Sequence, residues 1–157
     1  MIKVLFVCLG NICRSPMAEF IFKNMVCKKG LADSFLIASA ATSYEETGND
    51  IHYGAGNKLR QEGIPFTRRE ARRITPKDYK NFDFIIGMEE SNIAGIKRIV
   101  GEDKDNKIFK LLDFTDSPRG IADPWYTGDF DATYEDLTAG LEGFISYLIS
   151  EHLIPDR

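Results

Sequence analysis

Residues 2–16 read I-K-V-L-F-V-C-L-G-N-I-C-R-S-P, and the order of those residue types sets the architecture. Residues 2–8 are apolar apart from Lys3 and rich in β-branched side chains, the composition of a central parallel strand covered on both faces. Leu9-Gly10-Asn11 interrupts the run. Ser15 then offers an N-cap and Pro16 suits the first helical position. Ala18, Ile21, Phe22 and Met25 recur at helical spacing, Lys28 and Lys29 suit a helix C-terminus, and Gly30 ends it. Strand, tight loop, helix is the opening of an α/β unit, with the loop at the strand's carboxyl end, where such folds bind ligands.

The same alternation continues downstream. Residues 35–41 and 82–88 read as strands, and 108–112 as a short fourth one. Residues 51–62 carry a weaker helical pattern stopped by Gly63 and Pro65, and 89–100 a clearer one ending near Gly101. Residues 42–50 are polar and loop-like, 101–107 form a charged turn, and 113–130, with Pro118, Gly120, Pro124 and Gly128, a long loop. Tyr134, Leu137, Leu141, Phe144, Ile145 and Leu148 mark a closing helix. Residues 1–157, without a linker or repeat, are expected to form one α/β domain around a mostly parallel sheet of four strands.

Composition narrows the function. Twenty basic against 24 acidic residues leave a net charge of -4, which argues against a nucleic-acid coat while allowing one basic patch to hold an anion. Three cysteines, Cys8, Cys13 and Cys27, preclude a fully paired disulfide framework and read as thiols of a reducing cytoplasm. No apolar run reaches the length of a membrane span, and Met1 leads straight into a strand rather than a signal peptide. The expected location is cytoplasmic, with export by a non-classical route left open.

Cys8 through Pro16 carries the chemistry. A loop curling from a strand end to a helix start turns its N–H groups inward as an oxyanion nest, and the helix adds its unpaired donors. Gly10 permits close approach or a positive φ, and Asn11 tolerates one. Arg14 supplies a planar fork for two phosphate oxygens, at a helix end where the dipole otherwise repels a cation. A thiol at the centre of such a nest is expected to ionise, reactive cysteines in these settings falling to about 3.5–7.5, with the Ser15 hydroxyl steadying the charge. A thiolate in a phosphate cradle suits phosphoryl transfer through a covalent thiophosphate. The plainer reading of Cys8, a buried strand cysteine, does not account for C-x5-R-S-P between strand and helix.

V-C-L-G-N-I-C-R-S-P-M-A-E at 7–19 resembles the signature of the low-molecular-weight protein tyrosine phosphatases, and A-T-S at 41–43, M-E-E-S-N at 88–92 and D-P-W-Y at 123–126 extend the resemblance over nearly the whole chain. It implies the phosphotyrosine phosphatase I-like fold, a three-layer α/β structure with an open four-stranded parallel sheet of order 2-1-3-4 and helices on both faces. It implies Cys8 as nucleophile, Arg14 as phosphate clamp and Asp123 as general acid. Leu9, Gly10, Asn11, Ile12, Cys13, Arg14 and Ser15 become the phosphate-binding loop, with Asn11 and Ser15 shaping it. No cofactor and no metal are implied; the partners are a phosphotyrosine-bearing protein and the phosphate or other oxyanion in the site.

A tyrosine phenol has a pKa near 10, so its departure as phenolate benefits from a proton donor, which can later deprotonate the attacking water. Asp123 is the candidate, restricted by Pro124 to extended backbone; Asp113, Asp116 and Asp129 compete on loop placement alone. Trp125 and Tyr126 are expected as aromatic walls of the cleft, with Tyr44 and Glu45 opposite, where some relatives carry a bulky aromatic in place of Glu45. That acidic rim is expected to disfavour strongly acidic phosphopeptides. Relatives also commonly carry a histidine where Arg69 stands, in a network supporting the loop. The run R-R-E-A-R-R at 68–73 reads as a solvated helix face, or else a site for an acidic partner. His52 and His152 have no metal-like companions and no expected catalytic role, and Cys27 is expected to be passive. Cys13, five positions beyond Cys8, is placed for a reversible disulfide that would protect an oxidised Cys8.

Rival readings fit less well. A relay-type arsenate reductase needs cysteines beyond residue 27, and none exists; reduction coupled to small thiols, or hydrolysis of phosphoarginine, remains the alternative. A nucleotide P-loop needs G-x4-G-K-[ST], which residues 8–16 lack. A phosphate-binding module needs a nest but neither nucleophile nor acid.

Overall fold

Alternate residues of the first strand, β1 (Ile2–Cys8), divide the molecule into its layers. Val4, Phe6 and Cys8 enter one apolar layer, Leu5 and Val7 the other, as the two-residue period of a strand dictates. The computed structural model describes residues 1–156. β1 pairs in parallel with β2 (Phe35–Ala41) on one side and β3 (Phe84–Gly87) on the other, and β3 pairs with β4 (Ile108–Lys110), giving the order β2-β1-β3-β4. The chain leaves β1 in one direction and returns to β3 in the other. The carboxyl end of β1 is thus a topological switch point, and Cys8, opposite Ala41 of β2, sits on it.

Helices α1 (Arg14–Lys28), α2 (Tyr53–Gln61) and α6 (Phe130–Ser150) cover the first face, while α3 (Pro76–Asn81) and α4 (Glu90–Val100) cover the second. Phe22 of α1 anchors the first layer: its ring lies 5.8 Å from Phe6, 5.3 Å from Phe35 and 5.4 Å from Phe144 of α6. Full burial of such a side chain stabilises by about 1.5–3 kcal/mol. α6 approaches the turn after β4 so closely that a Cβ on Gly143 would stand 2.3 Å from the Phe114 carbonyl oxygen.

The expected fold class and strand order hold, and several local expectations change. Helix α1 begins at Arg14 with Cys13 as its N-cap residue, so Ser15 lies inside the first turn and is not the cap. Its N–H is directed at Cys8 Sγ instead. β4 stops at Lys110 because Leu111–Phe114 turn into a short 3-10 helix. β3 spans 84–87 rather than 82–88. The long loop 113–130 contains a short helix, α5 (Pro124–Thr127), and α6 starts at Phe130, earlier than its apolar pattern indicates, because Asp129 caps it by accepting from the Ala132 N–H. Residues 68–73 are not a solvated helix face. They form an extended strap beside β2, bridged between Arg73 and Ala41, with Ala41 N–H donating to Arg72 O.

Candidate active site

Three groups of the loop after β1 converge on Cys8. The Asn11 N–H stands 3.3 Å from Sγ, the Ser15 N–H 3.4 Å and Ser15 Oγ 3.0 Å. The hydroxyl accepts from Asn11 Nδ2 at 2.8 Å, which leaves its own hydrogen for the sulfur, nearer than the Ala40 carbonyl at 3.4 Å. Asn11 bends the loop: it takes φ 58°, while Gly10 has no positive φ. Gly10 serves close approach, a Cβ there lying 3.4 Å from Glu46 Cγ. Cys8, Asn11, Ser15 and Arg14 are all buried, so each donor acts where water competes little.

Arg14 lies beside the loop with 2% of its surface exposed. Its Nη1 donates to the Ile121 carbonyl at 2.9 Å and pairs with Glu89, the N-cap of α4. Nη2 reaches Asp123 Oδ2 at 3.3 Å. Nε is buried with no hydrogen-bond partner. A buried orphan donor of this kind is costly unless a ligand satisfies it. One side of the guanidinium is anchored by protein, and the Nε and Nη2 edge is left to grip an oxyanion through two bonds.

Asp123 is the N-cap of α5, its Oδ1 accepting from the Trp125 N–H at 3.1 Å. It shares an open cleft with Cys8, Leu9, Gly10, Ile12 and Cys13, lined also by Trp125, Tyr126, Glu45 and Glu46. The His52 ring packs edge-on to Trp125 at 5.5 Å, and the His52 backbone N–H donates to the Ile12 carbonyl, bracing loop and wall together. Cys13, also in the cleft, is a thiol: burial pushes it up to about 12, with the Cys8 sulfur and the Asp123 carboxylate adding to the effect.

Residues 3–153 match the family model described as low molecular weight phosphotyrosine protein phosphatase. The chain belongs to that family. It is 39% identical over 153 residues to the low molecular weight protein-tyrosine-phosphatase YfkJ of Bacillus subtilis, covering 96% of this chain and 98% of that one. The crystal structure of YfkJ superimposes with a TM-score of 0.91 over 96% of both chains. The mouse low molecular weight phosphotyrosine protein phosphatase is 40% identical over 148 residues, 91% of this chain and 93% of that one. The protein is therefore a cysteine-based phosphatase of phosphotyrosine and aryl phosphates.

The phosphatase loop expected from sequence, Leu9 to Ser15, is continuous around Cys8, and Arg14 and Asp123 meet there from 109 positions apart. Of the expected walls, Trp125, Tyr126 and Glu45 line the cleft and Tyr44 does not. The Tyr44 ring lies under the Arg73 guanidinium at 4.4 Å, and its hydroxyl accepts from Arg73 Nη1. The basic strap is thereby accounted for: Arg72 forks onto Asp78, Arg73 stacks on Tyr44, and Arg69 donates to Asn11. Sequence reasoning missed Glu89, Ser39 and Glu19. Glu89 holds Arg14 across 75 positions, and Ser39 accepts from Asn11 Nδ2 at 3.0 Å while donating to Glu19 at 2.6 Å. The M-E-E-S-N segment was the available signal for Glu89; nothing local marks the other two. Among the described residues no helix is long and apolar enough to cross a membrane.

Proposed function

We propose that Cys8 is the nucleophile, Arg14 with the loop N–H groups the oxyanion clamp, and Asp123 the proton donor and acceptor, in hydrolysis of phosphotyrosine on a protein. The observation that carries this reading is the orphan Nε of buried Arg14, at the end of the loop from which three hydrogen bonds converge on the Cys8 sulfur. Each of those donors stabilises negative charge on sulfur. In the first step Sγ attacks phosphorus in line, the bond from phosphorus to the aryl oxygen breaks, and Asp123 gives the departing oxygen its proton. In the second, Asp123 takes a proton from water, the water oxygen attacks phosphorus, and the S–P bond breaks with its electron pair returning to sulfur. Arg14 and the loop amides hold the equatorial oxygens throughout, the main electrostatic contribution to such a transfer. Leu9, Gly10, Ile12 and Cys13 contribute to the loop by shape and backbone.

Trp125 and Tyr126 supply an apolar wall for the phenyl ring, a contact the shorter phosphoserine side chain lacks. Glu45 and Glu46, which also line the cleft, select against acidic neighbours of the phosphotyrosine. The free thiols Cys8, Cys13 and Cys27 fit work in a reducing compartment such as the cytoplasm. The test is turnover of phosphotyrosine, phosphoserine and phosphoarginine peptides, with Cys8→Ser as control. Preference for phosphotyrosine and no turnover by the variant are expected; a preferred phosphoarginine peptide, or an active Cys8→Ser protein, would overturn the assignment.

A further inference from the structure

A second cavity shares no lining residue with the cleft around Cys8. It is open, about 450 Å³ in volume, and lined by Thr42, Arg73, Pro76, Gly95, Arg98 and Ile99. Two arginines from separate elements meet there: Arg73 of the strap beside β2, and Arg98 in the last turn of α4. No carboxylate lines the cavity. Arg14, Arg72 and Arg119 each pair with an acid, whereas Arg73 and Arg98 have none within ion-pair distance among the described residues. In a chain of net charge -4, that pairing of cations without an anion is a local feature and not the average of the surface.

Arg73 is fixed in place but only partly used. Its Nε donates to the Thr42 carbonyl at 3.2 Å and its Nη1 to the Tyr44 hydroxyl at 3.1 Å, with the Tyr44 ring stacked against it. Nη2 has no partner among the described residues, so both of its hydrogens are spare. Arg98 is exposed and makes no hydrogen bond or ion pair among them. The dipole of α4 favours a cation in its last turn, but it takes up none of the five guanidinium donors. The Thr42 hydroxyl is likewise unpartnered among the described residues. Gly95 brings these groups together. A Cβ there would press on Thr42 Cγ2 at 3.0 Å, so glycine lets α4, and Arg98 about one turn further on, come close to the end of β2.

We propose that this cavity is a second oxyanion site, separate from the catalytic one, which binds the phosphate group of a small phosphorylated organic molecule. Arg98 offers a planar fork for two phosphate oxygens, and Arg73 Nη2 and the Thr42 hydroxyl offer further donors. Phosphate has oxygens enough for all of them, where a carboxylate has two. The volume falls in the range of about 300–1,000 Å³ usual for small-molecule sites, and Pro76 and Ile99 give the organic part an apolar edge. The arginines keep their charge throughout the working pH range, so the site is ready for an anion at any pH at which the fold is stable.

Amide chemical shifts of the ¹⁵N-labelled full chain, titrated at constant ionic strength, test the site. The probes are inorganic phosphate, phenylphosphonate, a phosphoserine peptide and, as control, chloride. The amides of Thr42, Arg73 and Arg98 are expected to saturate together with either small probe, more tightly with phenylphosphonate, and not with chloride. In Arg14→Lys this set is expected to persist while residues 9–15 lose affinity. Arg98→Met is expected to do the reverse, weakening the set about 10- to 100-fold, the size expected for losing charged hydrogen bonds. Aryl phosphate turnover by Arg98→Met is expected to stay within twofold of the parent. Should Arg14→Lys not fold, the exposed Arg98→Met protein decides the matter. No saturable shift, or an equal response to chloride, overturns the inference. So does loss of the set in Arg14→Lys, which would make it an echo of the catalytic site, and so does an Arg98→Met protein that binds phosphate as the parent does. Saturation by the phosphoserine peptide but by neither small probe also overturns it and assigns the cavity to a protein partner. None of these results touches the role of Cys8, which Cys8→Ser tests separately.

Discussion

Replacing Asp123 with asparagine removes a proton and little else. The carboxylate caps α5 through its bond from the Trp125 N–H, and asparagine caps as well as aspartate, so the four-residue helix keeps its start. The lost contact to Arg14 Nη2 is long, 3.3 Å, and Arg14 keeps Glu89 and the Ile121 carbonyl. What disappears is proton transfer to the departing oxygen, which contributes about 10²- to 10⁴-fold, or about 2.7–5.4 kcal/mol at 1.36 kcal/mol per decade. That loss is expected in full for a tyrosine-like leaving group, whose phenol pKa is near 10. It is expected to shrink steadily as the phenol becomes more acidic and leaves unaided. The assay is pre-steady-state release of the phenol across a series of substituted aryl phosphates, which isolates the first step. Asp123→Ala should show the same slope with an added stability loss of about 1 kcal/mol from the missing cap. An equal loss across the series would refute Asp123 as the acid.

Two further expectations concern stability. The buried Cys13 thiol stays protonated in the fold while the unfolded thiol ionises first, so its contribution is complete below the ordinary value of 9.0 and is lost as pH rises from there to about 12; urea midpoints of the parent should fall more over that window than those of Cys13→Ala, and parallel curves would contradict the burial argument. Gly143→Ala improves intrinsic helix propensity by about 1 kcal/mol but drives a Cβ to 2.3 Å from the Phe114 carbonyl oxygen; a net loss of about 2 kcal/mol is expected, about 4–8 °C in Tm, against little change for exposed Glu142→Ala, and an unchanged Tm would show that α6 can shift freely.

What sequence made legible follows from the range of the interactions involved. β1 and its loop were readable because a β-branched run, a breaker and C-x5-R-S-P lie within 15 consecutive positions. α3 went unread because six residues carry no helical period, although its Thr75 and Asp78 form a capping box visible as T-P-K-D. Ser15 satisfied every local rule for an N-cap, and tertiary context overrode them: its N–H serves the sulfur seven positions back. The strap at 68–73 looked solvated because its partners are not local in sequence. Arg69 finds Asn11 58 positions away and Arg73 finds Tyr44 29 away. Glu19 and Ser39 are likewise ordinary helix and strand residues until the fold sets them 2.6 Å apart. Residues acting within one loop announce themselves, and residues acting across the sheet do not.

The central claim is a covalent bond between Cys8 and phosphorus, and it can be caught directly. In Asp123→Ala protein, an aryl phosphate with an acidic leaving group should still phosphorylate the sulfur, while hydrolysis slows for want of a base. Rapid quenching followed by peptide mass mapping is expected to find one phosphoryl group per chain, on the peptide containing Cys8. Phosphate on another residue, or a burst of phenol from Cys8→Ser protein matching the parent's, would contradict the account.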